Sequence, residues 1–295
     1  AFQQDATSRA GEPRGRPMLT IQGGGRHGHA FYRPQGAGRV RLQPIPALSD
    51  NYIWCLADDD GAQALIVDPG VAGPVLDALS GPPLAILLTH HHGDHIGGVP
   101  GLLERWPGTP VVAPADERIP LATRRVVDGE RVELGPWSFE VLAVPGHTAS
   151  HLAFHGHGVL FCGDTLFSLG CGRLFEGTPA RMLASLDRLA ALPGTTLVCC
   201  GHEYTHSNAR FARAVEPDNP ALARLSKELD TMDQTGKATL PTQLADELAC
   251  NPFLRTDMPD VRAAIRMRAP VAPEADVPRD AWFGALRAWK DGFAE

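Results

Sequence analysis

One short stretch constrains this chain more than any other: Thr89-His90-His91-His92-Gly93-Asp94-His95-Ile96-Gly97-Gly98, set directly after the apolar run 84–88. An apolar run of that length bounded by turn residues reads as a strand, so the stretch is delivered to one edge of a sheet. Side chains two apart on an extended chain share a face, so His90 and His92 point together and His91 points away. Gly93 eases the bend into a helix start that carries Asp94 and His95. Imidazoles and a carboxylate packed this densely make a nitrogen and oxygen donor set suited to borderline divalent ions such as Zn²⁺, Fe²⁺ or Mn²⁺. The bland alternative is a solvated histidine-rich loop. A strand feeding ligands at this spacing argues against it.

Three further pieces end strands in the same way. Pro145-Gly146-His147-Thr148 follows the run 139–144, Gly163-Asp164-Thr165 follows 159–162, and Gly201-His202-Glu203 follows 196–200. Each alone is weak, because a single histidine at a strand end is often only a satisfied core residue. Together they suggest side chains converging on one rim, with small neighbours that let backbone and metal approach closely. His90, His92 and His147 then make one three-nitrogen group. Asp94, His95 and His202 make a second, and Asp164 can bridge two ions with its two oxygens.

The rest of the chain fits around that rim. Its 295 residues allow one large domain or two ordinary ones. Residues 1–38 are rich in Gly, Arg, Gln and Pro without a period of two or 3.6, and are expected to be a disordered tail. Strand-like runs follow at 52–56, 64–67, 84–88, 110–113, 131–134, 139–144, 151–154, 159–162 and 196–200. Helices are predicted at 99–106 and 179–192, the latter with Thr178 as N-cap and Pro179 in first position. After Gly201 the strands stop, and helices are expected at 205–215, 220–235, 241–249, 257–268 and 280–293. The expectation is a mixed α/β body at 39–209 and a smaller helical domain at 210–295.

Composition excludes some functions. A net charge of −7 and pI of about 5.9 argue against a nucleic-acid partner. No apolar run is long enough to cross a bilayer. The six cysteines form no C-x-x-C pair and read as buried, reduced thiols of a cytoplasmic protein.

The run 89–98 resembles the H-x-H-x-D-H signature of the metallo-β-lactamase superfamily. More narrowly the chain is similar to the glyoxalase II family, the hydroxyacylglutathione hydrolases. The stretches that carry the likeness are Leu48-Ser49-Asp50-Asn51-Tyr52, residues 89–98, 145–148 and 161–167, Gly170-Cys171-Gly172-Arg173, Gly201-His202-Glu203-Tyr204-Thr205 and Asn251-Pro252-Phe253-Leu254-Arg255. The resemblance implies a four-layer αββα sandwich followed by a helical domain, and two divalent metals per chain, zinc first with iron or manganese as variants. It implies hydrolysis of S-D-lactoylglutathione to D-lactate and glutathione by a metal-bridging hydroxide, in methylglyoxal detoxification. His90, His92, Asp94, His95, His147, Asp164 and His202 would hold the metals. Asp94 and Asp164 would act as ligands that position the hydroxide rather than as an acid/base pair.

The same resemblance points to glutathione contacts at Arg173, Tyr204, Arg287 and Lys290. The last two lie three apart, on one helix face. Phe175 departs from relatives with Tyr at that position and cannot donate a hydrogen bond there. Asp68 is either a turn residue or a carboxylate that orients a ligand. His91, His151, His155, His157 and His206 read as non-ligands, and Cys171 as a loop residue. A monomer in the cytoplasm is expected, with no nucleic-acid or membrane partner. A glutathione persulfide dioxygenase of the same superfamily is the alternative, with a nuclease of this fold and a decayed binding protein further off.

Overall fold

The computed structural model describes residues 20–22, 29–32, 40–59, 61–268 and 277–293. One sheet has eight strands in sequence order: β1 (Thr20–Gln22), β2 (His29–Tyr32), β3 (Val40–Ala47), β4 (Asn51–Ala57), β5 (Leu65–Val67), β6 (Ala85–Leu87), β7 (Val111–Pro114) and β8 (Arg124–Val126). It is antiparallel through β5 and parallel from β5 to β8. The parallel steps need crossovers. These are α1 (Gly73–Ala78) between β5 and β6, then α2 (Gly93–Ile96) and α3 (Val99–Arg105) between β6 and β7, and the helix-free segment 115–123 between β7 and β8. The expected tail at 1–38 falls mostly outside the described residues. Where the chain is described there, β1 and β2 form a hairpin that extends the sheet.

The second sheet contains β9 (Arg131–Leu134), β10 (Trp137–Ala143), β11 (Leu152–Gly156), β12 (Val159–Gly163), β15 (Leu197–Cys200) and β16 (Thr242–Gln243), in spatial order β16-β15-β12-β11-β10-β9. Between β12 and β15 the chain forms the small hairpin β13 (Leu166–Phe167) and β14 (Gly170–Cys171), then α4 (Pro179–Ala190). Thr178 caps α4 by accepting the Arg181 N–H, and Pro179 begins it. β12 and β15 pair in parallel across this connection.

The layering follows from alternation. β4 is buried along its whole length. Tyr52, Trp54 and Leu56 join the core between the two sheets, while Ile53, Cys55 and Ala57 pack with Val99, Leu102 and Trp106 beneath α3. A strand buried on both faces must read as a continuous apolar run, and this one does. β12 and β15 are also buried throughout, and Met182, Leu183, Leu186 and Leu189 of α4 belong to the same core. The result is the expected αββα sandwich.

Beyond the second sheet lie α5 (Thr205–Val215), α6 (Pro220–Gln234), α7 (Leu244–Cys250), a 3₁₀ turn at Pro252–Leu254, α8 (Pro259–Arg268) and α9 (Arg279–Asp291). One feature differs from the sequence reading. The strands do not stop at Gly201: β16 adds to the sheet edge beside β15, displacing the start of the helix expected at 241 to Leu244. Two residues give too short a run for a period-two pattern to show. The core is also continuous, since Phe211, Phe253, Trp282, Phe283 and Leu286 join the cluster that contains α4 and both sheets. α5 runs unbroken across residues 209 and 210.

Candidate metal centre

Both sheets end at one rim and are stitched together there. Tyr52 N donates to Gly201 O at 2.8 Å, Trp54 Nε1 to Cys200 O at 2.9 Å, and Leu152 N to Thr89 O at 2.9 Å. The strand ends supply the side chains: His90 and His92 after β6, Asp94 and His95 in α2, His147 after β10, Asp164 after β12 and His202 after β15. All seven expected ligands meet at this rim. Ligand atoms of His90, His92 and His147 lie within 4.8 Å of one another, as do those of Asp94, His95 and His202.

Hydrogen bonds behind the histidines aim the rings. Thr89 Oγ1 donates to Asp68 Oδ2 at 2.6 Å, so at 3.0 Å it can only accept from His90 Nδ1. His95 Nδ1 faces Asp68 Oδ2 at 3.1 Å, His147 Nδ1 faces the Arg173 carbonyl at 3.0 Å, and His202 Nδ1 faces Asp50 Oδ1 at 2.7 Å. An acceptor at Nδ1 holds the proton there and turns Nε2 inward. His90 Nε2 and His147 Nε2 then stand 3.1 and 3.0 Å from the same atom, His92 Nδ1. Three ring nitrogens crowded on one point need a proton or a cation among them.

Carboxylates complete the second group. His95 Nε2 and His202 Nε2 are 3.3 Å apart, with Asp94 Oδ2 at 3.5 and 3.4 Å from them. Asp164 lies between the groups. Its Oδ2 is 3.4 Å from His147 Nε2 and 3.3 Å from His202 Nε2, and its Oδ1 is 3.4 Å from His95 Nε2. That Oδ1 is buried and accepts no hydrogen bond. Burial would raise the Asp164 pKa, but His95 and His202 hold it well below the usual carboxylate range. Burial would lower His202, yet hydrogen bonds to Asp164 and Asp94 push it up to about 10. Burial, with neighbouring imidazoles, keeps His90 and His92 neutral. An orphaned carboxylate oxygen, fixed inward lone pairs and a mixed nitrogen and oxygen donor set all fit divalent cations. Gly201 makes the approach possible, since a Cβ there would stand 2.6 Å from Asp164 Oδ1 and from His95 Cε1.

Asp68 serves ligand orientation, not only a turn: it touches His95 and Thr89 while its own backbone has a φ of 52°. His91 points away, 3.8 Å from both Asp116 and Glu176. Sequence reasoning placed Asp50, Asn51 and Thr89 in stretches that carry the family likeness but gave none of them a role. Asn51 Nδ2 donates to Asp94 Oδ2 at 3.1 Å. The only signal was the polar turn Ser49-Asp50-Asn51 at a strand start.

A cavity of about 540 Å³ opens over the rim. His92, Asp94, His147, Asp164 and His202 reach it, and so do Arg173, Phe175, Tyr204, Arg287 and Lys290, so five of the seven expected metal-ligand residues share one space with the expected substrate residues, while His90 and His95 lie behind it. The basic wall is already partly engaged. Arg287 is buried, donates to the Cys171 carbonyl at 2.8 Å and to Asp291 at 3.0 Å, and leaves its Nε without a partner. Tyr204 stacks on His202 with centroids 4.9 Å apart, and burial raises its phenol pKa, so it stays a donor. Phe175 is 63% exposed and sets its edge toward His147 at 5.1 Å. Cys171 lies in β14 rather than a loop. Burial pushes its thiol up to about 11, which excludes a resting thiolate.

A sandwich with this ligand rim defines the metallo-β-lactamase class of metallohydrolases, and residues 51–202 match the family model described as "Metallo-beta-lactamase superfamily". Residues 203–293 match the model "Hydroxyacylglutathione hydrolase C-terminus". The chain belongs to the hydroxyacylglutathione hydrolase family. A relative of that name from Xanthomonas euvesicatoria pv. vesicatoria is 56% identical over 259 residues, covering 86% of this chain and 99% of the relative. One from Xylella fastidiosa is 54% identical, covering 86% and 98%. Among solved structures, the B3 metallo-beta-lactamase BLEG-1 aligns with a TM-score of 0.55 at 26% identity, covering 73% of this chain and 99% of that one. A metallo-beta-lactamase from Staphylococcus aureus aligns with a TM-score of 0.52 at 16% identity, covering 81% and 68%, and shows the shared fold. The dioxygenase alternative is not favoured beside relatives above 50% identity that carry the hydrolase name.

Proposed function

We propose that this chain hydrolyses 2-hydroxyacyl thioesters of glutathione, S-D-lactoylglutathione foremost, using two divalent cations, with zinc the expected pair. One observation carries the reading: the donor-lined rim and the basic wall of Arg173, Arg287 and Lys290 open into the same cavity. When bound, the cations would supply water ionised near neutral pH and a Lewis-acid contact for the thioester carbonyl.

The chain's own groups do the rest. His90, His92 and His147 would hold one ion, Asp94, His95 and His202 the other, and Asp164 would span both. Each inward imidazole except His92 has its Nδ1 tied to an acceptor, so these rings are set to act as ligands rather than as general acids. A thiolate leaving group needs none, because the pKa of its thiol is about 8.5. Glutathione brings carboxylates to the wall, where the exposed Arg173 and the cavity-lining Arg287 and Lys290 would meet them. Tyr204 would donate to the peptide, and Phe175 would offer an apolar face without a hydrogen bond. The reading extends to a cytoplasmic monomer. Six unpaired, buried thiols suit a reducing compartment, and no described helix is long and apolar enough to cross a membrane.

The test measures S-D-lactoylglutathione hydrolysis and metal content on one sample before and after chelation, with light scattering for the oligomeric state. Thioesterase activity that tracks about two metal ions per chain is expected. A metal-loaded sample that leaves the thioester intact would refute the assignment.

A further inference from the structure

We propose that His151, which is not among the ligands, is a positioning residue of the metal centre: it fixes the backbone that presents Asp164 and braces the ring of His90. His151 is fully buried. Its Nε2 lies 3.2 Å from the Asp164 backbone N–H, an obligate donor, and its Nδ1 lies 3.0 Å from the Leu152 carbonyl, an obligate acceptor. Only one state satisfies both contacts: the neutral ring with its proton on Nδ1. The same ring stacks on His90, with centroids 4.6 Å apart and an interplanar angle of 18°.

The backbone it holds is irregular. The β12–β15 register shifts between Phe161 and Gly163, and Gly163 has a φ of 47°. Asp164 therefore leaves the ladder just where its carboxylate must face both ligand groups, and its N–H is satisfied by His151 instead of by a strand. There is no room for the bulge to relax. A Cβ on Gly163 would stand 2.3 Å from Thr89 Oγ1 and 2.9 Å from the His151 ring. Thr89 is the residue that orients His90. His151 thus touches both ligand groups from behind, through Asp164 on one side and His90 on the other. The position needs a flat ring, an acceptor at its far edge and a donor at its near edge, and histidine supplies all three.

Three substitutions separate these demands. His151→Phe keeps the stack and loses both polar contacts. His151→Asn keeps a donor near Nδ1 and loses the far acceptor. His151→Gln places an acceptor near Nε2. Zinc dissociation constants would be measured by competition with a chromogenic chelator. Electron paramagnetic resonance of the manganese-loaded chains would report coupling between the two ions, and circular dichroism would report the fold. Phe and Asn should weaken the looser zinc site by about tenfold or more and reduce the coupled signal, while Gln, which restores the acceptor for Asp164 but not the stack on His90, should fall between them and the parent. A folded Phe variant with parental zinc affinities and coupling would overturn the proposal. If the Phe variant does not fold, the Gln and Asn pair decides: equal affinities for the two would overturn it, and rescue by Gln alone supports it.

Discussion

At the scale of single residues, a metal-facing imidazole needs a partner behind it as well as a free lone pair in front. A histidine or aspartate at a strand end announces its chemistry locally. The acceptors behind the rings come from elsewhere in the chain: Asp50 meets His202, and the Arg173 carbonyl meets His147, only once the fold has crossed strands. Arg173 tests the cavity wall cleanly, because its side chain is 69% exposed and its substitution should spare the fold. Arg173→Ala is expected to raise KM about tenfold with little change in kcat. Steady-state kinetics on S-D-lactoylglutathione would show this, and an unchanged KM would take the residue off the substrate. Glu247 makes a separate prediction. It is fully buried and accepts from Leu169 N at 2.7 Å and Asn251 Nδ2 at 3.0 Å. Burial raises its pKa from 4.5 to about 7. The native state then keeps a proton that the unfolded chain releases near 4.5, so this contribution is complete below that pH and is lost as pH rises through about 7. Glu247→Gln should flatten the fall in stability between about pH 5 and about pH 8, by an amount on the order of 3 kcal/mol. Urea midpoints at the two pH values would measure it, and parallel losses in both proteins would show that the group does not titrate in this range.

Elements were readable where their ends carry distinct chemistry. Thr178 with Pro179 marks the start of α4, and the cap forms, Thr178 accepting from Arg181 N; at α6 the structure adds a cap not read from the sequence, with Asn219 accepting from Ala221 N and Leu222 N. Thr178→Ala should lower stability by about 1 kcal/mol, read as a shift in urea midpoint without a change in slope. No shift would mean that packing of α4 outweighs its cap. The two-residue strands were illegible, because alternation needs length to show. The hairpin β13–β14 is held instead by distant side chains. Asn251 Nδ2 donates to Phe167 O at 3.2 Å and Gly170 O at 3.0 Å, so an element between Asp164 and Arg173 takes its shape from the end of α7. That contact gives the stretch Asn251-Pro252-Phe253-Leu254-Arg255 a structural purpose that its letters alone do not disclose.

At the scale of the whole molecule, the sandwich could be foreseen through resemblance, whereas strand order, the parallel β12–β15 pair and the shared core could not be derived from periodicity. One apolar cluster runs through both sheets, α4 and the C-terminal helices. A fragment of residues 40–204 would expose the faces that Phe211, Phe253, Trp282 and Phe283 cover, and should be insoluble. Recovery of a soluble, zinc-binding fragment would show the core to be divisible. The stitching of the two sheets at the rim has a wider consequence. Backbone bonds from Tyr52 to Gly201 and from Leu152 to Thr89 close the seam without help from any ion. The donors therefore hang from a frame that main-chain bonds secure, and a side-chain substitution at the rim leaves those bonds in place. Which ion then enters becomes a question of supply as much as of architecture, since nitrogen and oxygen donors of this kind accept several neighbours in the first transition row.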